Sequence, residues 1–75
     1  MGKYNGHKNW NHWNVSLWIN NDEWLYRLAK EYADNWRRPV AALGMLNDLA
    51  DQGITETPDG APYSVSSIRA AMVGM

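Results

Sequence analysis

The sequence predicts a mainly α fold: a compact bundle of about four short helices, with a small β-hairpin at 54–63. Three observations carry this. Leu25, Leu28, Ala29, Tyr32 and Trp36 recur at helical spacing and form one apolar stripe. Asn or Ser residues stand just before the apolar segments, where they cap helices. Pro39 and Gly53 bracket a third apolar segment as a start and a stop.

A chain of 75 residues holds one small domain, 1–75. Its expected parts are an N-terminal arm (1–9), a Trp- and Asn-rich helical half (10–38) and an acidic half (39–75). The first helix spans about 11–20, with Asn9 or Asn11 as its cap. Trp10, Trp13 and Leu17 share one side of it, and Val15, Trp18 and Ile19 the other. Asn21 caps a second helix that runs to about Arg37, with Asp22 and Glu23 at the positive end of its dipole. A third helix covers about 39–52, with Leu43, Leu46, Leu49 and Ala50 facing inward. Pro58-Asp59-Gly60 is a turn, because Pro presets φ and Gly accepts positive φ. Ser64 caps a last helix at about 65–73, with Val65, Ile68 and Met72 inside.

A core this small needs bulk. Trp13 and Trp36 are expected to supply it, so that Trp36→Ala costs about 3–5 kcal/mol. Trp18 and Trp24 lie off the main stripes, where a Trp serves either as packing or as a binding anchor.

The net charge is −1, which speaks against a simple nucleic-acid or membrane-surface binder. The charge is uneven. Residues 1–38 hold six basic and four acidic residues (+2), and 39–75 hold only Arg69 against Asp48, Asp51, Glu56 and Asp59 (−3). With no Cys, disulfides and thiolate metal sites are excluded. No apolar run approaches the roughly 20 residues of a membrane span, and the N-terminal segment has no apolar stretch of the secretory kind. The expected location is the cytoplasm of a bacterial host cell, with no membrane partner.

Two segments resemble known families. Trp13-Asn14-Val15-Ser16-Leu17-Trp18-Ile19-Asn20-Asn21-Asp22-Glu23 resembles the W-N-V-x-L-W-I-x-N-D-E signature of small proteins encoded by bacteriophages. The resemblance implies a phage origin. Small phage proteins of this size often counter host defences, as anti-CRISPR proteins do. Further on, Leu46-Asn47, Gly53-Ile54, Thr57-Pro58-x-Gly60, Tyr63-Ser64 and Ser67-Ile68-Arg69 are similar to the helix-turn-helix DNA-binding region of large serine recombinases. That resemblance implies a helix entering the major groove. DNA affinity comes mainly from Lys and Arg on phosphates, and this half carries −3.

No residue set points to an enzyme. His7 and His12 lack the spacing of a metal site. No nucleophile elbow or phosphate-cradling glycine loop is present. No catalytic residue, cofactor or metal is therefore expected. The expected function is a non-enzymatic, phage-encoded inhibitor of a host defence complex such as a CRISPR-Cas effector. It would block a nucleic-acid site by steric or charge mimicry. Its partner-binding residues are Trp18, Trp24, Asp48, Asp51, Glu56 and Asp59, with the four acids at solvated positions. The alternative is a small helix-turn-helix DNA-binding protein of phage origin. There Ser64, Ser66, Ser67 and Arg69 approach DNA, and Lys3, Lys8, Arg37 and Arg38 contact phosphates. A third reading is a homodimer formed through the Trp-rich helix.

Overall fold

The computed structural model describes residues 7–75. Lys3 and most of the expected arm lie outside the described residues. Four helices follow in order: α1 (Trp10–Asn21), α2 (Glu23–Asn35), α3 (Arg38–Asp51) and α4 (Val65–Ala71). Each packs on two others, so that α1 touches α2 and α4, and α3 touches α2 and α4. Among the described residues the only β pairing is a single antiparallel bridge, Glu56 to Pro62. The expected hairpin is reduced to that bridge around the Thr57–Gly60 turn, with backbone bonds from Thr57 N to Ala61 O at 2.8 Å and from Tyr63 N to Thr55 O at 3.0 Å on either side of it.

The helix ends follow from local chemistry. Asn9 caps α1 through its side chain, which accepts from the His12 amide at 3.0 Å. Asp22 serves two helices at once. Its amide closes α1 on the Trp18 carbonyl at 2.9 Å, and its carboxylate caps α2 by accepting from the Leu25 amide at 3.0 Å. Asp22, not Asn21, is therefore the cap, and Asn21 instead folds back onto the Leu17 carbonyl at 2.8 Å. Helix α2 stops at Asn35, short of the expected Arg37. Continued further, it would place Pro39 four residues after Asn35, where proline has no N–H to donate and its ring strikes that carbonyl. Helix α3 ends in a full Schellman motif. Gly53 (φ 78°) bonds to Ala50 O at 3.0 Å, and Ile54 to Leu49 O at 2.9 Å. In α4, Ser64 and Ser67 form a reciprocal capping box.

The core holds no fully buried Trp among the described residues. It is built from Val15, Ile19, Leu25, Ala29, Ala41, Ala42, Met45, Leu49, Ala61, Tyr63, Ile68, Ala71 and Met72. Trp13 is half-buried and Trp36 is 58 % exposed, which corrects their reading as core. Trp36 is the residue that caps α2, in extended conformation (φ −138°, ψ 156°), so it leaves the stripe that its spacing suggested. Helix α3 also turns a different face inward. Ala41, Ala42, Met45 and Leu49 are buried, Leu46 is half-buried, and Leu43 is 49 % exposed. The reason lies in close approach. The small residues let α3 sit against its neighbours, and the Tyr32 ring of α2 lies directly over Gly44. A Cβ at Gly44 would come within 2.7 Å of Tyr32 Cε1.

That contact yields a test. Gly→Ala in an open helix gains about 1 kcal/mol. Gly44→Ala should instead lower the melting temperature, because the Tyr32 ring is also held at its hydroxyl by Asp48 at 3.1 Å. In a Tyr32→Ala background the same substitution should raise the melting temperature. Stabilisation in the wild-type background would show that the ring moves aside freely.

Candidate functional site

The residues expected to bind a partner fall into two groups, one tied to the fold by hydrogen bonds and one left free. The first centres on Asn14, which is 1 % exposed. Thr57 Oγ1 donates to Asn14 Oδ1 at 2.6 Å, and Asn14 Nδ2 donates to Asp59 Oδ2 at 2.9 Å. Trp18 Nε1 donates to the same carboxylate oxygen at 2.9 Å. Thr57 Oγ1 in turn accepts from the Ala61 amide at 3.0 Å. Asn14 and Trp18 sit one turn apart on α1, and Thr57-Pro58-Asp59-Gly60 is the turn before α4. Gly60 (φ 94°) closes that turn on the Thr57 carbonyl at 2.8 Å.

Asp59 is therefore an exposed acid whose carboxylate is held in place from α1. The hydrogen bonds from Asn14 and then Trp18 hold its carboxyl below the usual range. Asp48 is also engaged, accepting from Tyr32 Oη at 3.1 Å and from Gln52 Nε2 at 2.9 Å. Asp51 and Glu56 are exposed, and neither forms an ion pair among the described residues.

At the surface, Trp24 is 47 % exposed. With Trp18, Leu25, Ile54, Pro58 and Tyr63 it lines a groove of about 320 Å³, with Asp22 and Glu56 also on its wall. This groove brings Trp18, Trp24 and Glu56 together from α1, α2 and the turn, and leaves Asp48 and Asp51 elsewhere.

The residues of the DNA-binding alternative also divide. Ser64 and Ser67 are consumed in the capping box, and Ser67 is fully buried. Arg69 and Ser66 face outward and line a groove of about 590 Å³ with Arg38, Val65, Ala70 and Val73. Ser66 Oγ lies 2.9 Å from His12 Nε2 and ties α4 to α1. Burial, then the charges of Lys8 and His7, lower the affinity of His12 for a proton. This pairing joins residues 54 apart in sequence, and nothing in the local sequence signals it. Among the described residues, no three His, Asp or Glu side chains gather as metal ligands. No helix there is long and apolar enough to cross a membrane.

The polar cluster predicts two outcomes. Asn14→Ala should cost about 1–3 kcal/mol in chemical denaturation, since it strips partners from groups inside the fold. An unchanged midpoint would show the cluster to be idle. For Asp59 the folded carboxyl titrates below its unfolded value of about 3.9. Its stabilisation is full above that value and is lost as pH falls through the folded pKa. The melting temperature of wild type should therefore drop on acidification below about pH 4 more steeply than that of Asp59→Asn. Parallel curves would show that the two hydrogen bonds do not favour the charged form.

No curated protein and no solved structure matches the chain. Over its whole length, residues 1–75, it matches the family of unknown function DUF7249, and the protein belongs to that family.

Proposed function

We propose that this protein is a non-enzymatic inhibitor, encoded by a phage, that binds a host defence complex in the bacterial cytoplasm. In its most concrete form it is an anti-CRISPR protein that blocks a nucleic-acid site of a CRISPR-Cas effector. The observation that carries the reading is the groove beside Trp24, where a half-exposed indole lies among apolar side chains and beside Asp22 and Glu56. A half-exposed Trp beside a groove is the usual form of an interface anchor, and the carboxylates suit a basic nucleic-acid channel. The phage-type signature at Trp13 to Glu23 agrees with such an origin. A pull-down with the tagged full chain from bacterial lysate tests the reading. It should recover a Cas subunit or another nucleic-acid-binding defence subunit, and a Trp24→Ala bait should not.

Opposed charges across an interface mainly raise the association rate, and salt screens that gain. Of the four acids in residues 39–75, Asp51 and Glu56 are the exposed ones free of structural hydrogen bonds, so Asp51→Lys with Glu56→Lys should leave the melting temperature nearly unchanged. The on-rate for the target should fall, most at low ionic strength. Trp24→Ala should act on the off-rate instead. If charge reversal leaves binding intact while folded Trp24→Ala abolishes it, the charge-mimic mechanism is wrong and the contact is aromatic.

The DNA-binding reading is favoured by one observation, the groove shared by Arg38, Ser66 and Arg69. Two arginines in a protein of net charge −1 supply few phosphate contacts. Duplex binding at physiological salt should be no tighter than about micromolar, the scale of non-specific contacts. A gel shift at nanomolar protein, lost on Arg69→Ala, would reverse the ranking.

A further inference from the structure

A second groove, of about 410 Å³, opens between α2 and α3 and is lined by Leu28, Glu31, Tyr32, Asn35, Trp36 and Asp48. Its walls are aromatic and aliphatic and its charged groups are both carboxylates. No basic side chain lines it. Trp36 stands more than half exposed on the wall, where the backbone leaves α2 in extended conformation. Asp48 is fixed in place, because each of its oxygens already accepts one hydrogen bond, from Tyr32 and from Gln52. Each oxygen keeps a second lone pair. Glu31 is exposed and has no ion-pair partner among the described residues, whereas its neighbours Lys30 and Asp34 pair with each other at 2.9 Å.

We propose that this groove receives an arginine side chain of a protein partner, stacked on Trp36 and paired with Glu31 and Asp48. Charge complementarity fixes the sign of the occupant, and the indole fixes its shape. A guanidinium is planar, weakly hydrated and able to stack on an aromatic face while donating sideways to carboxylates. An ammonium is a compact, strongly hydrated point charge and gains less from such a wall. The Tyr32 hydroxyl fits this arrangement. Burial, then its bond to Asp48 and the charges of Asp48, Glu31 and Asp51, keep the phenol protonated as a donor to the carboxylate. The groove lies toward the C-terminal end of α2, away from Trp24 at its start, so this inference goes beyond the proposed defence-complex target and its test does not require that target.

The experiment is an NMR titration of the 15N-labelled full chain with hexa-arginine at low ionic strength. The Trp36 indole N–H and the Asn35 side-chain amide should shift saturably. Trp36→Ala, whose side chain lies outside the core, should weaken binding by about fivefold or more, the scale of a cation–π contact with its apolar support. Glu31→Gln should weaken it several-fold without altering the fold, and hexa-lysine should bind more weakly than hexa-arginine. Equal affinity of Trp36→Ala and wild type would overturn the proposal. So would shifts centred on Trp24 and Glu56, or equal binding of the two peptides.

Discussion

The fold depends on one polar junction, the hydrogen bonds that Asn14 makes with Thr57 and Asp59. A buried amide is costly to leave without partners, at about 1–3 kcal/mol per group, so once Asn14 is inside α1 the turn must meet it. Meeting it sets the position of Thr57 to Gly60, and through the Thr57 to Ala61 bonds it sets the approach of the chain to α4. Apolar contacts alone would leave that approach loosely specified, since Val15 and Ile19 give α1 only a narrow buried strip. The direction comes from the hydrogen bonds and the bulk of the energy from the apolar contacts.

How much of this is legible in the sequence depends on the range of each interaction. Ser64, Pro39, Gly53 and the Pro58-Asp59-Gly60 turn act on backbone groups a few residues away, and the helix order can be read from them. Asp22 replaced Asn21 as a cap by a single step, a margin that local chemistry does not resolve. The inward face of α3 is not legible for a different reason. Leu43 and Leu46 outrank Ala41 and Ala42 in hydropathy, but the alanines and Gly44 allow closer packing, and which factor prevails depends on the Tyr32 ring of another helix. Trp36 sits at the right spacing on a helix that Pro39 ends one residue earlier. The Asn14 and Asp59 pairing spans 45 positions and leaves no local trace.

Charge reads differently in space than along the chain. The basic first half and acidic second half do not become two faces. Arg38 from the first half joins Arg69 from the second in one groove. Glu31 from the first joins Asp48 from the second in another. Of the four acids in the second half, Asp59 and Asp48 are held by hydrogen bonds within the fold, which leaves Asp51 and Glu56 as freely presented charge. Asp59 stays exposed and charged but is held in one orientation, so Asp51 and Glu56 are the acids of this half that can turn toward a partner.

The core closes on Ala, Met, Leu, Ile and Val with Tyr63, and Trp24 and Trp36 add little to it. In contrast, the residues that carry the phage-type resemblance include those the fold uses most: Asn14, Val15, Trp18 and Ile19 form the junction and its apolar backing. At those positions the residues are set by the demands of the fold. The resemblance carries no information about a shared target, because the groups that hold α1 to the turn are the ones least available to a partner. Any specificity must be written outside them, in the side chains that the fold can vary without loss. Trp24, Glu31, Trp36 and Glu56 meet that condition, and they line the two aromatic grooves along α2.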